Sequence, residues 1–217
     1  SGQTCIAPDY VFVHSSIKNE FIDKVKVEIA KSDFSTQNEN YVQIINDRNV
    51  ERLAKLIDPS KVIQGGDVDR PNRIISPTVL DGVTFQDAIM QEEIFGPLMA
   101  VIEYDDLDWA INKVKKRPKP LACYIYSTDN KVKKKILHEL SFGGGGINES
   151  VMHISNPHFG YGGVGESGLG SYHGKYGFDD FSHYKSIIEK PSWFEPNFKY
   201  YKRTAVKYSF IRKLMKL

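Results

Sequence analysis

The chain has 217 residues, of which 41% are apolar and 26% are charged, and its formal net charge is +2. This length suits one large domain or a domain with an extension, and the composition is that of an ordinary globular protein. The small net charge gives no reason to expect a nucleic-acid partner, and no apolar run approaches the ~20 residues of a membrane-spanning helix. Two cysteines are too few for a disulfide framework, which favours a reducing compartment, so we expect a cytoplasmic protein.

The first third of the chain predicts a strand followed by two helices. Residues 10–14 are typical of a strand, and the helix behind it has a core face made of Phe21, Val25 and Ile29. A second helix is predicted from about Asn49 to Ile57, because apolar residues recur there at helical spacing. Shorter strands are expected around Ile63 and within 74–80.

The middle of the chain alternates strand and helix signals. Apolar runs at 98–102 and 121–126 are typical of strands buried on both faces. Asp106 and Asp129 are good N-cap residues for a helix after each strand, and the glycines 143–146 are predicted to end the second of these helices. The β-α-β-α order predicts an α/β fold with a doubly wound, mostly parallel sheet.

The C-terminus changes character near Pro191. We therefore predict a domain over 1–178, a returning strand that serves oligomerisation over 179–190, and a basic tail over 191–217. From Lys199 onwards there are seven basic residues and no acidic ones, interleaved with aromatic residues.

A helix in this tail would have one apolar face, made of Val206, Phe210, Leu214 and Leu217 and interrupted by Lys213. The interpretation favoured by a small margin is a helix docked on the protein's own surface or on a partner subunit. A helix lying on an anionic membrane surface is the second interpretation, and nucleic-acid binding is the least favoured because no recognised binding motif accompanies the charge.

Cys5 is a candidate nucleophile. A glycine and polar neighbours precede it, which suits a tight turn where a substrate can approach the sulfur. The six histidines form no recognisable cysteine-protease signature, and spacing alone makes a catalytic Cys5 the less favoured alternative. Cys123, in an apolar run, is interpreted as a small buried hydrophobic residue.

Glu92 and Glu93 are a second candidate. Adjacent carboxylates can act as acid and base, bind a metal, or simply be solvated, but consecutive residues of extended backbone point apart. The following Phe-Gly-Pro fixes a turn and puts Phe95 beside Glu93, an arrangement that suits a sugar hydroxyl and a flat ring.

The third candidate is the glycine-rich loop, residues 159–174. Its glycines at 163, 165 and 168 match the spacing of a dinucleotide-binding fingerprint, but no apolar strand precedes them, so we interpret the segment as a structural loop packed close to backbone. His173 is the one candidate functional histidine in this loop, although a structural role is favoured over a catalytic one. No group of histidines and cysteines has the spacing of a zinc site, so no metal is expected.

Three separated motifs resemble, in order, those of the aldehyde dehydrogenases. They are the active-site cysteine signature, the second family hallmark and the glycine-rich loop near the C-terminus, at residues 2–5, 92–97 and 159–174. The strings at 5–10, 119–122 and 168–175 are similar to the class 3, fatty-aldehyde-type branch. The resemblance covers about residues 1–190.

This resemblance implies an NAD- or NADP-dependent enzyme that oxidises aldehydes, long-chain or aromatic ones being favoured, to carboxylic acids. Cys5 would form a thiohemiacetal and then a thioester, and its backbone N–H would help to hold the oxyanion. Glu93 would hydrogen-bond the nicotinamide ribose, and Phe95 would pack beside the nicotinamide end. His173 matches a histidine of the class 3 branch near the substrate or the loop, and a homodimer is implied.

In this family the general-base glutamate, the oxyanion asparagine and most of the cofactor domain precede the cysteine. We therefore expect a catalytic-domain fragment that lacks the N-terminal cofactor domain and makes no NADH by itself. Two alternatives stay open: a CoA-acylating aldehyde dehydrogenase, and a non-enzymatic module that uses the fold for interaction or for membrane tethering through its tail.

Overall fold

The computed structural model describes residues 1–34, 40–202 and 204–216, and the chain divides into two compact units. The first unit is Ser1–Phe181 and the second is Ser182–Leu217. The first unit ends three residues beyond the predicted domain boundary at 178. Leu217, predicted to lie on the apolar face of the tail helix, and Arg203, one of the basic residues of the tail, lie outside the described residues.

Eight strands and five helices are described in the first unit. The strands are Tyr10–His14 (β1), Val62–Gln64 (β2), Val68–Asp69 (β3), Ile74–Ile75 (β4), Thr78–Leu80 (β5), Leu98–Tyr104 (β6), Ala122–Ile125 (β7) and Gly144–Ile147 (β8). The helices are Lys18–Lys31 (α1), Asp47–Leu56 (α2), Leu107–Lys115 (α3), Asn130–Glu139 (α4) and Gly174–Asp180 (α5).

The main sheet has four strands in the order β1-β6-β5-β2. Strand β6 is central and pairs in parallel with β1 and with β5, and β2 joins the far side of β5 in antiparallel fashion. A second parallel pair is formed by β7 and β8, while β3 and β4 form a small antiparallel ribbon. The prediction of an α/β fold with a mostly parallel sheet is confirmed.

The core lies on both faces of β6, as expected of a strand that reads as a continuous apolar run. One face packs against the buried residues Val50, Leu53 and Leu56 of α2. On the other face Val101 packs with Val13 and Val79 beneath α1, whose predicted core face of Phe21, Val25 and Ile29 is confirmed. Two helices therefore sandwich the sheet.

The helix boundaries follow their caps. The side chains of Asn46, Asp106 and Asp129 each accept a hydrogen bond from a first-turn backbone N–H, which begins α2, α3 and α4 respectively. The two predicted aspartate caps are thus confirmed, and α2 begins two residues before the predicted Asn49. Helix α4 contains no fully buried residue, so its predicted apolar face is only half covered.

The glycine run 143–146 does not end a helix, and that prediction is wrong. Helix α4 ends at Glu139, and Gly144–Ile147 instead forms β8, paired in parallel with β7. A Cβ atom on Gly145 would overlap the carbonyl oxygen of Cys123, and one on Gly143 would overlap that of Gly162. Glycine is required because backbone approaches β8 too closely for a side chain, which a pattern of single residues does not reveal.

The second unit contains one helix, Ala205–Leu214 (α6), preceded by a 3₁₀ turn at Asn197–Lys199. The predicted oligomerisation strand, 179–190, is not formed in the single chain: its first two residues end α5, and residues 182–190 have no regular secondary structure. Glu195 is a hub of the unit: it pairs with Lys190 at 2.7 Å and with Lys199, and it accepts a hydrogen bond from Tyr200 at 2.7 Å. Within the described residues no helix is long and apolar enough to cross a membrane.

Replacing Leu53 by alanine should destabilise the first unit strongly. The side chain is completely buried between α2 and the sheet, and a leucine-to-alanine change in such a core costs about 2–5 kcal/mol. Urea unfolding followed by circular dichroism measures the free energy of unfolding. The exposed Lys55→Ala on the same helix is the matched control, and equal losses for the two variants would contradict this packing.

The Glu195 cluster predicts a pH dependence in the second unit. Hydrogen bonds from Lys190, Lys199 and Tyr200 lower the pKa of Glu195 to about 2 from its ordinary 4.5. Because the folded-state pKa is lowered, these contacts stabilise the unit above the ordinary carboxyl pKa, and the stabilisation is lost as the pH falls towards 2. A carbon-13 NMR titration of the Glu195 carboxyl should show this low midpoint, which Lys190→Ala raises and Lys202→Ala does not.

Candidate active site

The register of the sheet brings the first two motifs together. Strands β1 and β6 are parallel neighbours, so the loops that enter them meet at the same edge of the sheet. Tyr10 pairs with Ala100, and Cys5 and Phe95 each lie five residues ahead of this pair. Two motifs that are far apart in sequence therefore begin side by side.

Cys5 lies at the tip of a tight turn. The turn is closed by a 3.0 Å hydrogen bond from the Ala7 N–H to the Thr4 carbonyl. The next residue, Ile6, is buried and anchors the turn, whereas Cys5 is exposed. Among the described residues the backbone N–H of Cys5 donates to no acceptor, so this amide is available to a ligand.

Backbone contact holds this turn against the second motif. Gly2 has a φ of +70°, and a Cβ atom there would overlap the carbonyl oxygen of Gly96. The Asp9 carboxylate accepts a 2.8 Å hydrogen bond from the Ile94 N–H, which joins the two loops again. Burial raises the pKa of Asp9, and the Ile94 N–H and the nearby Arg117 and Arg52 charges oppose that rise.

Helix α2 and the segment before it support both loops. The Gln3 side chain donates to the Gln43 carbonyl and accepts from the Ile45 N–H, each at 2.9 Å. On α2, Arg52 donates to the Glu93 carbonyl at 3.2 Å and to the Ile94 carbonyl at 2.6 Å. One amphipathic helix thus fixes the nucleophile turn and the loop that faces it.

Glu93 and Phe95 remain available on that loop. The Glu93 carboxylate is exposed and makes no hydrogen bond or ion pair within the described part of the chain. Its pKa is raised, first by partial burial and then by the nearby Asp9 charge. Phe95 has a φ of +49° and an exposed ring, although a phenylalanine normally avoids both. A free acceptor and a free flat ring fit the sugar and base of a nucleotide, so the residues present suit the implied nicotinamide cofactor.

The glycine-rich loop brings the third motif to Cys5. Tyr161 places its hydroxyl 2.6 Å from the Cys5 sulfur. Antiparallel backbone hydrogen bonds of 2.9 Å join Tyr161 to Tyr172, so the loop folds back on itself as a structural element. Tyr124 on β7 adds a 2.8 Å hydrogen bond to the Ile6 carbonyl on the other side of the turn.

His173 lies in this loop but does not contact Cys5 through a hydrogen bond. Its ring stacks on Tyr161, with centroids 6.0 Å apart, and meets Tyr172 edge-on at 4.3 Å. Its Nδ1 atom is buried and has no partner among the described residues. The arrangement suits a histidine that braces the tyrosine, and the predicted substrate role of His173 stays a prediction.

The two thiols differ in environment. Cys123 lies inside β7, and burial raises the pKa of its thiol to about 11, which agrees with its interpretation as a hydrophobic residue. Cys5 is exposed at the meeting point of three motifs. No group of three or more potential metal-ligating side chains occurs in the part of the chain that the structure describes.

Sequence reasoning missed four residues that build this site: Gln3, Asp9, Arg52 and Tyr161. Gln3 and Asp9 lie beside the cysteine motif, and Tyr161 lies inside the glycine-rich loop, so motif proximity was a usable signal for these three. Arg52 is an ordinary polar position of an amphipathic helix, and nothing in the sequence marks it. Its role follows only from the packing of α2 beside the loop at 93–94.

The chain belongs to the aldehyde dehydrogenase family, whose family model matches residues 1–187. Among its relatives is the "Aldehyde dehydrogenase, dimeric NADP-preferring" of Mus musculus, 46% identical over 192 residues, which are 87% of this chain and 42% of that protein. The "Aldehyde dehydrogenase family 3 member A2" of the same organism is 42% identical over 193 residues, 87% of this chain and 40% of that protein. The resemblance to the class 3 branch is thereby confirmed.

Solved structures agree with the fold. The substrate-bound state of Staphylococcus aureus AldH superimposes with a TM-score of 0.87 at 40% identity, covering 98% of this chain and 47% of that one. The chain thus spans less than half the length of these relatives.

The close contact at Gly2 predicts that alanine there disturbs the nucleophile. Gly82 is the matched control, because its φ of +65° is equally positive but no atom lies within 4 Å of its missing side chain. Gly82→Ala should lose about 1 kcal/mol of stability, the cost of the left-handed conformation alone. Gly2→Ala should lose roughly 2–4 kcal/mol and slow the alkylation of Cys5. Equal losses and unchanged alkylation rates would contradict the contact.

Proposed function

We propose that this chain supplies the nucleophile-bearing part of an NAD(P)-dependent aldehyde dehydrogenase. The observation that carries the proposal is the exposed Cys5 at a turn tip, where three family motifs converge from distant parts of the sequence. Family membership supports the reaction class, and the mouse relative is named as NADP-preferring.

In the proposed reaction the Cys5 thiolate attacks the aldehyde carbonyl and forms a thiohemiacetal. The unpaired Cys5 N–H is a donor for the oxyanion that develops at that step. NAD or NADP, when bound, supplies the two-electron oxidant that turns the thiohemiacetal into a thioester. Water then cleaves the thioester, which releases the carboxylic acid and restores the thiol.

Glu93 and Phe95 are proposed to hold the nicotinamide end of the cofactor. The free Glu93 carboxylate would accept hydrogen bonds from ribose hydroxyls, and the exposed Phe95 ring would pack beside the cofactor. Their loop is fixed by Arg52, so both groups are held in place before a ligand arrives. The remainder of the cofactor site belongs, in this proposal, to an N-terminal cofactor domain outside this chain.

The partners and location are further parts of the proposal. A homodimer is supported by the word "dimeric" in the name of the mouse relative, with residues 179–190 as the pairing strand. The second unit carries exposed apolar residues on α6, namely Val206, Phe210 and Leu214, beside basic ones. They suit docking on a partner subunit or contact with an anionic membrane surface, in a protein located in the cytoplasm.

Cys5 should be the reactive thiol of the chain. Iodoacetamide, with the reaction followed by intact mass, should label Cys5 faster than it labels the free thiol of glutathione. Added NAD should change the rate of Cys5 labelling. Cys5→Ala removes this labelling, while Cys123→Ala leaves it. Labelling as slow as that of glutathione would overturn the role of Cys5 as nucleophile, and a rate indifferent to NAD would overturn cofactor contact by this chain.

The reaction itself is tested on the whole protein that the reading frame encodes. Cys5→Ala should abolish aldehyde-dependent NAD(P)H formation, and Cys123→Ala should retain it. A product that becomes an acyl-CoA only when CoA is present would favour the CoA-acylating alternative. Absence of turnover with short, long-chain and aromatic aldehydes would favour the non-enzymatic module.

A further inference from the structure

The Cys5 sulfur has a polar partner on the glycine-rich loop, the hydroxyl of Tyr161 at 2.6 Å. This tyrosine is held firmly. Two backbone hydrogen bonds pair it with Tyr172, whose ring meets it edge-on at 5.4 Å, and the ring of the adjacent His173 stacks on it at 6.0 Å. The hydroxyl is therefore directed at the sulfur by the fold of the loop.

The chemistry of the pair gives the hydrogen bond a direction. The pKa of Tyr161 is raised, first by burial and then by the hydrogen bond to Cys5. The phenol therefore keeps its proton over the range in which a thiol ionises. Once the sulfur is a thiolate it can only accept, so the Tyr161 O–H is the donor.

The groups around this pair are weakly polar. The titratable side chains that face Tyr161 are Cys5 on the nucleophile turn, Tyr124 on β7, and Tyr172 and His173 on its own loop. Within the described residues, no hydrogen bond or ion pair joins Tyr161 to a carboxylate or to a basic side chain. Within the described residues, the Tyr161 hydroxyl is thus the side-chain group that makes a hydrogen bond with the Cys5 sulfur.

We propose that Tyr161 is a positioning residue, whose hydroxyl donates a hydrogen bond that holds the Cys5 thiolate in place and moderates its reactivity. This inference rests on the proposed role of Cys5 as the nucleophile. A hydrogen bond to the ionised form increases the population of thiolate at neutral pH. The same bond makes the thiolate less basic and therefore less nucleophilic, while the remaining lone pairs of the sulfur stay free to attack a carbonyl carbon.

The test is the rate of Cys5 alkylation by iodoacetamide as a function of pH, read by intact mass. Tyr161→Phe should shift the midpoint of the profile upwards by about one pH unit. Thiolate nucleophilicity rises with basicity at a Brønsted slope of about 0.4–0.5. A thiolate one pH unit more basic is therefore about tenfold less abundant near pH 7, but each thiolate reacts about threefold faster. The rate near pH 7 should fall about threefold, and the plateau at high pH should rise about threefold.

Tyr172→Phe is the matched control, because it removes a neighbouring hydroxyl that does not bond to Cys5. Its profile should coincide with that of the unaltered chain. A Tyr161→Phe profile that also coincides, or an equal shift in both variants, would overturn the inference. If the Tyr161 inference fails in this way while Cys5 of the unaltered chain is labelled fast, the proposal that Cys5 is the nucleophile still stands. If Cys5 of the unaltered chain is labelled as slowly as glutathione, both proposals are overturned.

A second variant keeps the test decisive if Tyr161→Phe does not fold by circular dichroism. Incorporating 3-fluorotyrosine at position 161 keeps the ring and the hydroxyl but makes the phenol a stronger donor. The midpoint should then move to lower pH and the plateau rate should fall. An unchanged profile would overturn the role of the hydroxyl.

Discussion

The geometry of the candidate site depends on the hydrogen bonds that Arg52 donates to the loop at 93–94. Its guanidinium donates to two consecutive carbonyls, one from each terminal nitrogen of the planar fork. The arginine belongs to α2, which is pinned to the sheet by buried apolar residues. Core packing therefore fixes the position of a polar loop, and that loop in turn supports the nucleophile turn through Gly96 and Ile94.

The parallel sheet supplies the rest of the convergence. Neighbouring parallel strands present their entry loops at one edge, so the two motifs meet although about ninety residues separate them. The third motif arrives from the β7–β8 pair, whose glycine strand allows backbone to approach closely. The turn that carries the exposed Cys5 is thus held by main-chain contact at Gly96 and by the side chains of Tyr161 and Tyr124.

Much of this architecture could be predicted from the sequence. The strands at 10–14 and 98–102 and the caps Asp106 and Asp129 followed from local pattern, because apolar periodicity and capping are properties of neighbouring residues. The glycines 143–146 were misinterpreted because a helix stop and a crowded strand use glycine for different reasons that look alike in sequence. Arg52 could not be assigned, since its partners are decided by tertiary packing alone.

The contact between Gly2 and Gly96 joins two stretches of main chain without any side chain between them. The place of the Cys5 turn is therefore set in part by contact between main-chain atoms, which is independent of the exposed side chains of the unit. Exposed side chains such as Tyr126, Met152 and Phe159 take no part in this contact. The surface of the unit can therefore vary in sequence while the main-chain contact that positions Cys5 is kept.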